Sequence, residues 1–248
     1  LSRTALPYTY LREADVMWSK RIWRVIDLKE KINLPFGYPL SGSVRDRRSL
    51  IDVIMDAAEE GTLTLYQSSD DEFTVPMTTE DMKKLGGAGV DTVTLQRPDP
   101  PYDSYDTVIT RTFSRDKVIA FRVKEDWFFD KQRSVIEARI IGFAPLIYAV
   151  DEYGNTREGN IKVPLFWVYY NEARQLLANA EVFNRTNDAE RRSYDDLFQK
   201  RMFSSYIMKE SNVYDRRIED YAQGLNALLE SERIKTEIVN MEHDLWEY

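Results

Sequence analysis

Apolar residues along this 248-residue chain recur with two different periods, and the switches between them divide it into elements. Leu11, Ala14, Trp18, Ile22 and Val25 follow one another at intervals of three and four, which predicts an amphipathic helix over residues 11–32, stopped by Asn33 and Pro35. The punctuation of LPFGYPLSGS marks a loop. A second helix is expected from Ser49, with Leu50, Val53, Ile54 and Ala57 on one side and Gly61 as its stop. TLTLYQ and EFTVP alternate, as a short pair of strands whose connector SSDD reads as a solvated turn. Thr78, with Asp81 three residues on, opens a helical turn that Gly86, Gly87 and Gly89 close. VDTVTLQ is another strand, and RPDPPYDSYD is a stiff connector because its prolines fix φ and remove donors. TVITRTF, KVIAFRVKEDWFF, RSVIEARIIGFAPLIYAV and KVPLFWVYY then form a meander, with DEYGNTREGN as the turn before its last strand.

From Asn171 the spacing becomes helical again. Asn187 is the expected cap of a helix carrying Tyr194, Leu197, Phe198 and Arg201, with Glu190 three residues after the cap. The stretch from Tyr214 to Tyr248 shows a heptad-like seam of Tyr214, Ile218, Tyr221, Leu225 and Leu228, resumed at Ile234, Ile238, Met241 and Leu245 after a slip near Ser231. The fold class is α+β: a mostly antiparallel sheet with covering helices. A helical N-terminal arm (1–35), a sheet core (36–178) and a helical C-terminal region (179–248) are expected to pack as one unit.

One stretch, VKEDWFFDKQRSVIEARIIGFAPL, sets carboxylates among aromatic rings, an arrangement that raises a carboxyl pKa in general acids. Strand alternation accounts for most of it. Ile119, Phe121, Val123, Trp127 and Phe129 share one face, and a turn centred between Lys131 and Gln132 brings Ile136, Ala138 and Ile140 to that same face. On the other face Lys124 falls diagonal to Glu137 and Asp126 to Arg139, within reach of cross-strand pairing, while Asp130 belongs to the turn. Glu125 is the charged intruder on the apolar face, and no second carboxylate is placed beside it as a glycosidase needs.

Composition narrows the chemistry further. There is no cysteine, which removes thiol catalysis, disulfides and thiolate metal sites. The only histidine, His243, lies on the polar side of the last helix between Glu242 and Asp244, a solvated position rather than a catalytic one. DEYGNTREGN has its glycine at the wrong place for a calcium loop, and LGGAGVD lacks the strand-then-helix order of a phosphate loop. NRT at Asn184 matches the glycosylation triplet, a pattern common by chance. Neither a metal nor a cofactor is expected. The formal charge of −8 argues against a nucleic-acid partner, although Arg45, Arg47 and Arg48 form a small basic patch around Asp46. The longest mostly apolar run, IIGFAPLIYAV, is eleven residues, too short to span a bilayer core of about 30 Å. With Leu1 first and no charged-then-apolar leader, a mature or trimmed chain is expected.

Several blocks in order carry a resemblance: WSKRIWRVIDLKEKIN, SLIDVIMDAAEEGTLTLY, VKEDWFFDKQRSVIEARIIGFAPL, PLFWVYYNEARQLLANAEVFNRTNDAERRSYDDLF and QKRMFSSYIMKESNVYDR. From Trp18 to Arg216 the chain resembles the GldN/PorN family of gliding-motility and type IX secretion proteins of Bacteroidetes. The resemblance implies a non-enzymatic periplasmic ring subunit that associates with an outer-membrane lipoprotein of the GldK/PorK type and communicates with a motor protein of the GldM/PorM type. It implies no catalytic motif. Aromatic residues on the two terminal elements are then the expected interface residues: Tyr8, Tyr10, Trp18 and Trp23 at one end, Trp246 and Tyr248 at the other, although Trp18 and Trp23 fit a core equally well. Two rival classes remain open: a carboxylate enzyme acting on an envelope glycan with Glu125 as acid, and a peptide-binding module using the strand edge TLTLYQ.

Overall fold

The structure is a computed structural model that describes residues 3–40, 43–44, 47–96, 104–111, 113–150, 156–157, 161–184 and 190–246. In chain order its elements are β1 (Val16–Asp27), α1 (Leu34–Gly37), α2 (Leu50–Glu59), β2 (Leu65–Gln67), α3 (Thr79–Lys83), β3 (Gly89–Gln96) and β4 (Ser104–Arg111). They continue with β5 (Ala120–Asp130), β6 (Val135–Tyr148), β7 (Lys162–Pro164), β8 (Phe166–Tyr169), α4 (Tyr170–Asn179), α5 (Tyr194–Gln199), β9 (Tyr206–Glu210) and α6 (Leu225–Trp246). Seven strands make one sheet in the order β2-β8-β6-β5-β1-β9, with β7 on β6, and β3 and β4 form a separate ribbon. Every strand pairing is antiparallel. The α+β class expected from the sequence is what the chain adopts.

The first element is a correction. Residues 16–27, expected within a helix, are β1, an interior strand between β5 and β9. Ile22 through Ile26 are buried in succession because both faces of this strand are covered, so IWRVI lacks the alternation of a half-exposed strand and mimics helical spacing. The β-branched and aromatic content of VMWSKRIWRVI was the discriminating feature. The C-terminal region needs a second correction. YIMKE forms the edge strand β9, and the last helix begins at Leu225 rather than Tyr214, with a single 3₁₀ turn at Ile218–Asp220 before it.

Local chemistry sets the helix starts. Ser49 caps α2 by accepting the Asp52 amide, and Gly61 follows the helix at φ +73°, where a side chain would be strained. Thr78 and Asp81 form a reciprocal capping box on α3. The cap of α5 is Ser193 with Asp196, not Asn187 with Glu190: two S/N-x-x-D/E patterns lie close together, and the second is used. Asn187 lies outside the described residues, as do most of the DEYGNTREGN turn, the RPDPPYD part of the connector, and Arg45 with Asp46.

The β5–β6 hairpin keeps its expected faces in a different register. Trp127 lies opposite Ala138 and Phe129 opposite Ile136, a shift of two residues that leaves side-chain parity intact. The turn takes Lys131–Ser134 instead of closing at its centre, and the pairing shifts again between Lys124 and Glu125. The expected hairpin ion pairs do not form. Asp126 binds Arg21 of β1 at 2.7 Å, Lys124 binds Glu72 at 2.8 Å, and Glu137 pairs with Arg133 and with Arg139 at 3.6 Å. Asp126 and Lys124 are thus paired by flanking elements, and Glu137 by neighbours within the hairpin.

On one face of the sheet, α2, α4 and α5 cover an aromatic cluster in which the Phe198 ring lies 5.3 Å from Phe36 and 5.4 Å from Phe143. The opposite face buries Trp23, Val25, Ala144, Leu146 and Trp167. There the loop expected to be solvated is anchored. Asp70 accepts the amides of Glu72, Thr74 and Val75, Asp71 accepts the Trp23 indole N–H at 2.9 Å, and Phe73, at φ 60°, lays its ring over Gly142. A Cβ at Gly142 would meet that ring at 2.3 Å, so only glycine fits beneath it. The free side of β2 is already taken: Gln67 N–H donates to Val75 and Met77 N–H to Leu65, so TLTLYQ presents no open edge there.

Candidate functional site

Glu125 is the residue the sequence leaves unexplained, and its surroundings decide what it can do. It stands on the helix-covered face of β5, two residues from Val123 and two from Trp127, with no solvent exposure. Its Oε2 accepts the Trp127 indole N–H at 2.9 Å and an Arg201 guanidinium N–H at 3.0 Å, while Oε1 has no hydrogen-bond partner among the described residues. Arg201 follows α5 in the left-handed region at φ 51°, which aims its guanidinium back over Trp127 at 5.1 Å and Phe203 at 5.4 Å. A second guanidinium, Arg24 of β1, is buried nearby and donates to the Ser205 hydroxyl at 2.8 Å. Burial pushes Arg24 below its ordinary pKa, Glu125 pulls it back up, and Arg201 lowers it further.

These charges partition the core. Along β5 the order is Phe121 and Val123 in the aromatic cluster, then Glu125, then Trp127 in a different cluster; along β1 it is Ile26, Arg24, Ile22. The neighbours that satisfy Glu125 are a guanidinium and an indole, and the side chain is closed to a polymeric substrate. Its chemistry is that of a buried ion pair, in which removing one partner leaves a charge uncompensated. Sequence reasoning missed Arg201, which lies 76 positions away. Only the excess positive charge around the α5–β9 junction hinted at it.

Beyond the partition, Ile234 and Ile238 of α6 pack on Ile22, Ile207 and Ile218, with Trp18 and Trp127 at the margin. The phase slip at Ser231 has a cause. That serine is buried, and its hydroxyl accepts the Ile207 amide of β9 at 2.9 Å, so the helix closes the outer edge of the sheet at this point. The other side of α6 mixes exposed apolar residues with ion-paired Glu232, Arg233, Lys235 and Glu237: Leu225 is 71% exposed and Leu228, Leu229 and Val239 lie between 57% and 59%, with Val213 and Tyr214 exposed on the preceding loop. Exposed apolar residues gathered on one element and its approach mark an interaction surface.

The expected interface residues fall in different settings. Tyr10 is 88% exposed. Tyr8 is half-buried between the guanidinium groups of Arg139 (5.0 Å) and Arg174 (4.5 Å), and its hydroxyl accepts from Gln199 at 3.0 Å. Burial raises its phenol pKa. Trp18 is half-buried beside α6, and Trp23 is in the core of the opposite face. Trp246 is the last residue of α6, and Tyr248 lies outside the described residues. His243 is exposed on α6. A groove of about 610 Å³, lined by Ile32, Leu34, Phe36, Tyr38 and Phe183 among others, opens beside α1. Among the described residues, no group of three or more acidic or histidine side chains is placed to hold a metal ion, and no helix is long and apolar enough to cross a membrane.

With this geometry in hand, comparison with known proteins gives one positive result. A family model described as gliding motility associated protein GldN matches residues 11–247, which takes in every element from β1 through α6. No match is found among curated proteins.

Proposed function

The chain belongs to the GldN family of gliding-motility-associated proteins, and on that premise we propose that it is a non-enzymatic structural subunit of the type IX secretion and gliding machinery. Its role is to build a periplasmic ring with an outer-membrane lipoprotein of the GldK/PorK type and to contact a motor of the GldM/PorM type. The observation that supports this reading is the set of exposed apolar residues at the start of α6 and on its approach loop, Leu225, Leu228, Leu229, Val213 and Tyr214, in a chain whose family match extends through that helix. Repeated heterologous contacts between identical subunits close into rings when the rotation permits. The enclosed, ion-paired state of Glu125 favours a structural over a catalytic use of that residue.

The test is to mix the chain with the candidate lipoprotein and measure mass by light scattering. A stoichiometric high-mass product is expected, reduced by Leu225→Asp with Leu228→Asp. A chain that stays monomeric beside its companions, yet turns over an envelope glycan in a manner abolished by Glu125→Gln, would overturn the reading.

A further inference from the structure

The segment before β1 is held by groups that read a main chain. On α4, Gln175 and Asn179 donate side-chain amide N–H groups to the Arg3 carbonyl at 2.8 and 3.0 Å. The Asn179 oxygen accepts the Arg3 amide at 2.8 Å, the Gln175 oxygen accepts the Ala5 amide at 3.3 Å, and Arg174 donates to the Leu6 carbonyl. Residue 3 thus lies beside 179, residue 5 beside 175 and residue 6 beside 174, an extended segment running antiparallel to the helix. Two side chains set the register. The Arg3 guanidinium donates to the Arg191 carbonyl at 2.8 Å and approaches Asp196 at 3.5 Å, and Tyr8 is sandwiched between Arg139 and Arg174.

We propose that this cradle is an exchange site: in the assembled protein it holds residues 3–9 of a neighbouring copy of the same chain. The proposal rests on the self-associating role inferred above. Three features identify the occupant. Main-chain contacts accept any extended segment, but an arginine five residues before a tyrosine, set against Asp196 and the Arg139–Arg174 pair, selects this arm. Releasing the arm uncovers one half-buried ring, Tyr8, at the margin of the aromatic cluster, since Leu6 is already 79% exposed and Tyr10 88% exposed. Leaving the cradle empty is unfavourable, because Arg174, itself 7% exposed and paired with Asp195, would lose its carbonyl acceptor. A vacated cradle favours refilling by an identical segment, which restores every contact that release breaks. Exchanging an identical element is a low-cost route between copies. Tyr10–Arg12, without regular structure, supply the hinge.

The absence of native cysteine makes the test free of background. Thr4→Cys and Arg191→Cys leave every arm contact named above in place, because Arg191 serves through its backbone. The double variant should close within one chain under a short bismaleimide when the protein is monomeric. Two single variants, co-expressed and assembled, should give a covalent dimer on a denaturing gel, and Tyr8→Ala should lower its yield about tenfold by removing two cation–π contacts. Association by light scattering without that dimer overturns exchange and leaves self-association standing. A dimer indifferent to Tyr8→Ala reflects proximity alone and also overturns exchange. Neither association nor dimer overturns both readings.

Discussion

The two apolar clusters on the helix-covered face of the sheet are made of different side chains. Beneath α2, α4 and α5, Phe36, Phe121, Phe143, Tyr170, Tyr194 and Phe198 interlock with aliphatic residues. Beneath α6 the fully covered residues are five isoleucines. Large rings each remove on the order of 150–250 Å² from water and constrain one another's orientation, whereas a narrow aliphatic seam fixes one helix along one stripe. The aromatic cluster holds the molecule together, and the isoleucine seam holds one element to it. The same helix carries the exposed leucines, so an element held along a single stripe is also one with apolar surface to spare.

Perturbing each side should break this contrast if it is wrong. Phe198→Ala should remove about 3–5 kcal/mol from global stability, read as a shifted denaturant midpoint. Ile234→Ala should cost about 2–4 kcal/mol, but as accelerated amide exchange confined to α6 and β9 with the global midpoint little changed; equal loss across the sheet would show a single core. Glu125→Gln, at the boundary, should cost about 1–3 kcal/mol, less than a fully buried pair because Arg201 is 31% exposed, and Glu125→Gln with Arg201→Met should recover part of it. Ser231→Ala should cost about 1 kcal/mol by stranding the Ile207 amide, visible as faster exchange at that amide. The smallest effect is acid-dependent. Burial pushes the Asp196 carboxyl up, but the amide and hydroxyl of Ser193 and the charge of Lys200 outweigh it and leave the pKa below the ordinary 3.8. The cap therefore stabilises α5 above that ordinary value and loses its contribution as pH falls through the depressed one, a slope that Asp196→Asn should flatten.

How much of this was legible in one dimension depended on how local the cause was. Ser49, Thr78 with Asp81, and Gly61 announce their helix ends because cap and partner lie within a turn. The hairpin faces followed from alternation, and their register missed by two because turn length is not written in the strands. β1 was misread because burial on both faces erases the two-residue period. The partners of Glu125 and Lys124 came from residues 76 and 52 positions away, beyond any spacing rule. The cradle for the N-terminal segment was invisible for the same reason: Tyr8 stood out as an aromatic, while Gln175 and Asn179 looked like ordinary polar positions on a helix.

The row of charge formed by Arg24, Glu125 and Arg201 interrupts the oily layer between the two clusters. A tear that starts under the C-terminal helix meets that row before it reaches the phenylalanines. Pulled through its last helix, the protein should therefore shed that helix first and keep its sheet.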